Sequence, residues 1–115
     1  MIDFQGLIDF CLSFDNAYED YPFAHIPGAD AWTWMRHSAN KKSFAIIYEH
    51  GGKLCINLKC DPIEAELLRS AYEDVTAGYH MNKKHWNTIT IGGDVPFEEV
   101  HRQIENSYNL IKPKR

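Results

Sequence analysis

Residues 43–62 read SFAIIYEHGGKLCINLKCDP, and this stretch decides the fold. Residues 43–50 are apolar and β-branched, as a buried strand requires. Gly51-Gly52 is a two-residue turn of the hairpin type. Residues 53–60 then alternate strictly: Leu54, Ile56 and Leu58 point one way, Cys55, Asn57 and Lys59 the other. That period of two predicts a half-buried strand with one face toward a core. Asp61-Pro62 follows as a helix start, with Asp able to cap the first free amides and Pro at the position where no amide is needed.

The pattern extends outward in both directions. Upstream, WTWMRH (32–37) alternates loosely and reads as another strand, joined to the hairpin by the turn SANKKS. Residues 15–31 hold turn formers and acids, with Pro22 and Pro27, and read as the longest loop. Residues 3–14 carry apolar side chains at helical spacing. Downstream, the helix after Asp61 has an apparent stripe of Ile63, Leu67 and Ala71, with Leu68 and Tyr72 beside it. Residues 74–79 fit a short strand. Residues 85–92 alternate again, with Trp86, Thr88 and Thr90 opposite Ile89 and Ile91. Pro96 opens a last helix with the stripe Phe97, Val100, Ile104, Tyr108 and Ile111, and Pro113 ends it. The expected order is α-β-β-β-α-β-β-α. Antiparallel strands with helices packed on one face make a two-layer α+β sandwich.

The whole 115-residue chain is the size of a single domain, with room to bury one core. No apolar run reaches the roughly 20 residues of a membrane span. The start, MIDFQGLIDFCLSF, lacks the basic region of a secretory signal. Three cysteines without CxxC spacing fit free, buried thiols in a reducing cytoplasm, the expected location. The net charge of -4 is unevenly spread: residues 1–30 hold six acids, Asp15, Glu19, Asp20 and Asp30 among them, and no Lys or Arg. Residues 31–60 come to +4, and the tail Lys112, Lys114 and Arg115 is basic. Strong nucleic-acid binders usually show a basic balance; here only a local basic face is available.

Most catalytic chemistry finds no support. There is no G-x-G-x-x-G and no Walker A loop. The six histidines, with His80 and His85 or His25 and His37 as the nearest pairs, lack metal-site spacing, so no metal and no cofactor is expected. Cys60 lies just before a helix start, where a dipole can lower a thiol pKa, but a small packing residue explains it more simply. No enzyme activity is expected. The most unusual stretch is GYHMNKKHW (78–86): two aromatics, two histidines, two lysines and an Asn in nine residues. Aromatic and basic groups together can stack on bases and neutralise phosphates. The competing reading is a structural loop whose Tyr79 and Trp86 pack inward.

That stretch, continued as YHMNKKHWNTITI, resembles the signature of the MmcQ/YjbR-like family of small bacterial proteins. The resemblance takes in WTWMRHSANKKSFAIIYE, GKLCINLKCDP and DVPFEEVHRQIENSYNLIKPK, with Lys59 in the turn into the second helix and Ser107-Tyr108 in the last one. It covers about residues 32–113; Ala77 departs from a Pro expected before Gly78. It implies a fold like CyaY, the frataxin-like protein, or like the type III secretion chaperones. It supplies no catalytic residues. The label usually attached to it is DNA binding, by analogy of fold.

Three readings follow. In the first, the strand hairpins bind DNA: Arg36, Lys41, Lys42, Lys83 and Lys84 contact phosphates, while Tyr79, His80, His85 and Trp86 stack or hydrogen-bond. In the second, a sheet face or edge takes a segment of another protein, in a chaperone-like way. In the third, the aromatics line a site for a small planar ligand, in keeping with the family name's antibiotic-producing context. A monomer or weak dimer is expected, without membrane attachment.

Overall fold

The computed structural model of the protein describes residues 2–26 and 32–114. Pro27 and Asp30 of the acidic segment and Arg115 of the tail lie outside the described residues. Among the described residues nine elements run in the order α1 (Phe4–Leu12), β1 (Ala17–Asp20), β2 (Thr33–His37), β3 (Ser43–His50), β4 (Lys53–Lys59), α2 (Pro62–Ala71), β5 (Val75–Ala77), β6 (Trp86–Thr90) and α3 (Phe97–Ile111). The strands form one antiparallel sheet in the order β1-β2-β3-β4-β6-β5.

Turn chemistry sets the central hairpin. Gly51 and Gly52 both have positive φ, 59° and 77°, which the tight turn demands and only glycine meets without strain. Asp61 accepts from the amides of Ile63 and Glu64 and starts α2 as its sequence predicts. One face of the sheet carries the main core. Leu7, Ile8 and Cys11 of α1 and Val100, Ile104, Tyr108 and Ile111 of α3 pack on Met35, Ala45, Ile47, Ile56, Leu58 and Ile89.

A bulge between β2 and β3 shapes this core. Met35 pairs with Ala45 and Arg36 with Ser43, so Phe44 is the extra residue. An extra residue breaks the strict alternation, and Phe44 joins the helix-side core next to Ala45. The Phe44 carbonyl accepts a hydrogen bond from the buried Ser107 hydroxyl (2.6 Å), whose oxygen accepts from the Lys59 amide (2.9 Å). Tyr108 stacks on Phe14 and donates to the Asp15 carbonyl (2.7 Å), closing α3 onto the end of α1.

Three expectations are corrected. The segment read as a loop contains β1: Ala17–Asp20 pairs with His37–Trp34 and makes a sixth, edge strand. The α2 stripe is on a different face. Ile63 is 73% and Leu67 64% exposed, while Ala65 is buried and Leu68 and Tyr72 pack on the core. The small Ala65 lets α2 approach β6 closely, and the Ala65 carbonyl accepts from Asn87 Nδ2. Phe97, at the first turn of α3, is exposed rather than part of its buried stripe.

Candidate functional site

The face of the sheet away from the helices decides what the molecule offers a ligand. By register this open face carries Trp34 and Arg36 of β2, Ile46, Tyr48 and His50 of β3, Cys55 and Asn57 of β4 and Trp86 and Thr88 of β6. The alternation in β4 is as expected, but the face of Cys55 and Asn57 is not left to water: both are buried. They lie under a second cluster in which Ile46, Tyr48 and Cys55 are covered by Trp32, Trp34, Tyr79, Met81 and Trp86.

The loop 78–85 folds over this face and is held there by buried hydrogen bonds. Asn57 Oδ1 accepts from the Tyr48 hydroxyl (2.8 Å) and from Thr88 Oγ1 (2.6 Å). Asn57 Nδ2 donates to the Tyr79 carbonyl (3.0 Å), and the Tyr79 amide donates to Thr88 Oγ1 (2.8 Å). Gly78 allows the close approach: a Cβ there would sit 2.7 Å from Trp86 Cβ. Burial, partly offset by the Thr88 and Asn57 hydrogen bonds, pushes the Tyr48 hydroxyl up to about 12, so it stays a neutral donor.

The rings form a continuous layer. Trp32 stacks on Tyr48 with centroids 4.2 Å apart, and Tyr79 stands 5.9 Å from Tyr48, 4.5 Å from His50 and 4.0 Å from His80. Beside this layer opens a cleft of about 430 Å³ lined by Phe23, Ile26, Trp32, Trp34, His80 and Met81. Phe23 meets Trp34 edge to face at 5.9 Å, and the Arg36 guanidinium lies over the Trp34 ring, 5.0 Å from its centre.

The nine residues singled out in the sequence are divided among several places, with Tyr79, His80 and Trp86 near one another on the open face. Tyr79 and Trp86 pack inward, leaving His80 at the cleft. The His85 carbonyl accepts from the Cys60 amide. The Arg36 charge is matched by Asp20 (2.7 Å), and its Nη1 donates to the Lys41 carbonyl. Lys41 and Lys42 are exposed at the β2–β3 turn. The Lys83 ammonium donates to the Gly78 carbonyl, and Lys84 borders a groove of about 180 Å³ with Pro62, Ile63, Glu66 and Arg69. The two lysine pairs lie at one end of the sheet but about three strand spacings apart, roughly 14 Å.

Thiol chemistry is also disfavoured. Burial raises Cys11 to about 12, and burial with the neighbouring Glu64 and Asp61 carboxylates raises Cys60 to about 11. Desolvation outweighs any pull from the helix start at Cys60. Among the described residues no group of three His, Cys, Asp or Glu side chains is placed to hold a metal. Among the described residues no helix is long and apolar enough to cross a membrane.

Sequence reasoning missed Phe23, Ile26, Trp32, Trp34 and Met81 as a group. The available signal was parity: Trp32 and Trp34 share a face, and the hairpin aligns that face with Tyr48.

An antiparallel sheet with three helices on one face and aromatic rings on the other defines an α+β domain whose open sheet face is its one extended aromatic surface among the described residues. The YjbR family model matches residues 12–110, and the chain belongs to the YjbR family. It is 34% identical over 103 residues to YyaQ of Bacillus subtilis, covering 81% of this chain and 84% of that one. It is 31% identical over 87 residues to YjbR of Escherichia coli K12, covering 71% and 74% respectively. A crystal structure of a Pseudomonas syringae protein superposes with a TM-score of 0.83 at 28% identity, covering 96% of this chain and all (100%) of that one. A Deinococcus radiodurans protein containing a DUF419 domain gives 0.82 at 30% identity, covering 96% and 78%.

Proposed function

We propose that the protein is a binding module that takes a small planar molecule into the aromatic cleft on the open face of its sheet. The observation that carries this reading is the cleft itself. Two tryptophans, a phenylalanine and a histidine from three separate segments line one opening, beside a ring layer already locked by stacking and hydrogen bonds. Aromatic walls favour flat ring systems, because offset and edge-to-face contacts are available to them. Among the described residues the Asp20–Arg36 pair leaves that side of the cleft without net charge, which suits a neutral ligand.

The test is a titration with naphthalene, followed by the indole N–H resonances of Trp32 and Trp34. Saturable shifts are expected in the native protein. Trp34→Leu should weaken binding by about threefold to tenfold, the worth of one aromatic contact of roughly 0.5–1.5 kcal/mol. Shifts that stay linear with concentration, or that persist unchanged in the variant, count against the cleft.

A second reading keeps nucleic acid on the same face. Its support is that, apart from the Asp20–Arg36 pair, the Asp, Glu, Lys and Arg positions on this face of the strands are lysines, Lys53 and Lys59. Stacking on the rings with phosphates on these lysines is the arrangement used for single strands. If it operates, affinity for single-stranded DNA falls steeply with salt and Lys53→Glu/Lys59→Glu removes it. Binding that is absent at low ionic strength eliminates this reading without touching the first.

A further inference from the structure

Among the described residues the lining of the cleft carries two accessible polar groups, the Trp32 indole N–H and the His80 imidazole. Phe23, Ile26 and Met81 carry no N–H or O–H, and Trp34 Nε1 is buried. Among the described lining residues His80 alone has a side chain that can both donate and accept a hydrogen bond. Its backbone has φ 60°, the left-handed region that glycine favours and that His, Asn and Asp enter more readily than other residues. The chain could satisfy this turn with glycine and does not. The loop's own hydrogen bonds run through Tyr79, Asn82 and Lys83, so the turn does not use the imidazole. The ring is instead held against Tyr79 (4.0 Å) and near Trp32 (6.2 Å), exposed at the rim.

We infer that His80 is the polar recognition residue of the cleft, and that the ligand is a flat ring system carrying one hydrogen-bonding group on its edge. The inference rests on the proposed cleft reading and narrows it. Apolar walls select flatness and size but cannot orient a ring. A single hydrogen-bonding group at the rim does so, because a ligand lacking the matching group leaves His80 without its bond.

Two probes of equal shape separate the ideas: naphthalene, and quinoline, which adds one acceptor nitrogen to the edge. Both are titrated into the native protein, into His80→Gly, which suits the left-handed backbone, and into His80→Asn, which suits it and keeps a donor. Quinoline should bind about threefold to tenfold tighter than naphthalene, the range of one net hydrogen bond. His80→Gly should erase that preference while leaving naphthalene binding in place, and His80→Asn should restore part of it. Equal affinities in the native protein, or a preference that survives His80→Gly, overturn the role of His80 and leave the cleft standing. Failure of both probes to bind the native protein overturns the cleft and the inference together. Thermal melts of both variants verify that the loop remains folded.

Discussion

Asn57 shows how one buried side chain ties the sheet to the loop above it. Both of its polar atoms are committed: Oδ1 to Tyr48 and Thr88, Nδ2 to the Tyr79 carbonyl. Asn57→Leu fits the volume but leaves the Tyr48 hydroxyl and the Tyr79 carbonyl without these partners in a dry setting. Each stranded group costs about 1–3 kcal/mol, so the expected loss in urea denaturation is about 2–6 kcal/mol. A smaller loss together with a protease-sensitive loop would mean that the loop lifts off and water repairs the damage. The thiols give a pH signature. Cys11 rises from an ordinary 9.0 to about 12 and Cys60 from 9.0 to about 11, so the fold favours their protonated forms. A raised folded-state value gives stability that is complete below pH 9 and is lost as pH climbs through the folded values. The urea midpoint should therefore fall between pH 9 and 11, and fall less in Cys11→Ala. In the native state at pH 8 a disulfide reagent should label the three cysteines slowly, and rapidly after unfolding.

At the scale of elements, α2 makes the sharpest test. Ile63 and Leu67 face solvent while Ala65 faces β6. Ile63→Gln and Leu67→Gln should each change stability by no more than about 0.5 kcal/mol, whereas Ala65→Leu should cost about 1–3 kcal/mol through overpacking. The reverse ranking would restore the stripe that periodicity suggests. The sequence misleads here because two stripes fit a 3.6-residue period, and the larger residues look like the buried one. What selects the other stripe is closeness of approach, which local pattern does not carry. The β3–β4 hairpin, α2's start and α3 were legible because turn glycines, an Asp-Pro cap and a long stripe are local signals. β1 was not: AYED is four half-buried residues at an edge, and only its pairing with β2 makes it a strand. The candidate site divides in the same way. The odd composition of residues 78–86 was visible, but its meeting with Phe23, Ile26, Trp32 and Trp34 comes from topology.

Across the whole molecule, stability and the proposed site lie at opposite ends of a gradient. β3 and β4 sit mid-sheet, covered by α3 below and by the aromatic layer above. β1 lies at the edge, paired on one side only, and leads into the exposed Tyr21, Phe23 and Ile26. Elements with one ladder and few buried contacts open at low free-energy cost, while doubly covered strands open only with global unfolding. Amide exchange should therefore be slowest at Ile46, Ile47, Ile56 and Leu58 and faster by orders of magnitude in Ala17–Asp20. The cleft wall formed by Phe23 and Ile26 hangs from that weak edge. A ligand bridging this wall to Trp32 and His80 binds only the closed form and so must stabilise it, by an amount that grows with ligand concentration. When a planar ligand saturates the cleft, exchange should slow in β1 and by the same factor in the centre, because neither the edge-open form nor the globally unfolded chain holds the ligand. Slowing confined to the centre, with β1 unchanged, would instead place the ligand at a site that stays intact when the edge opens.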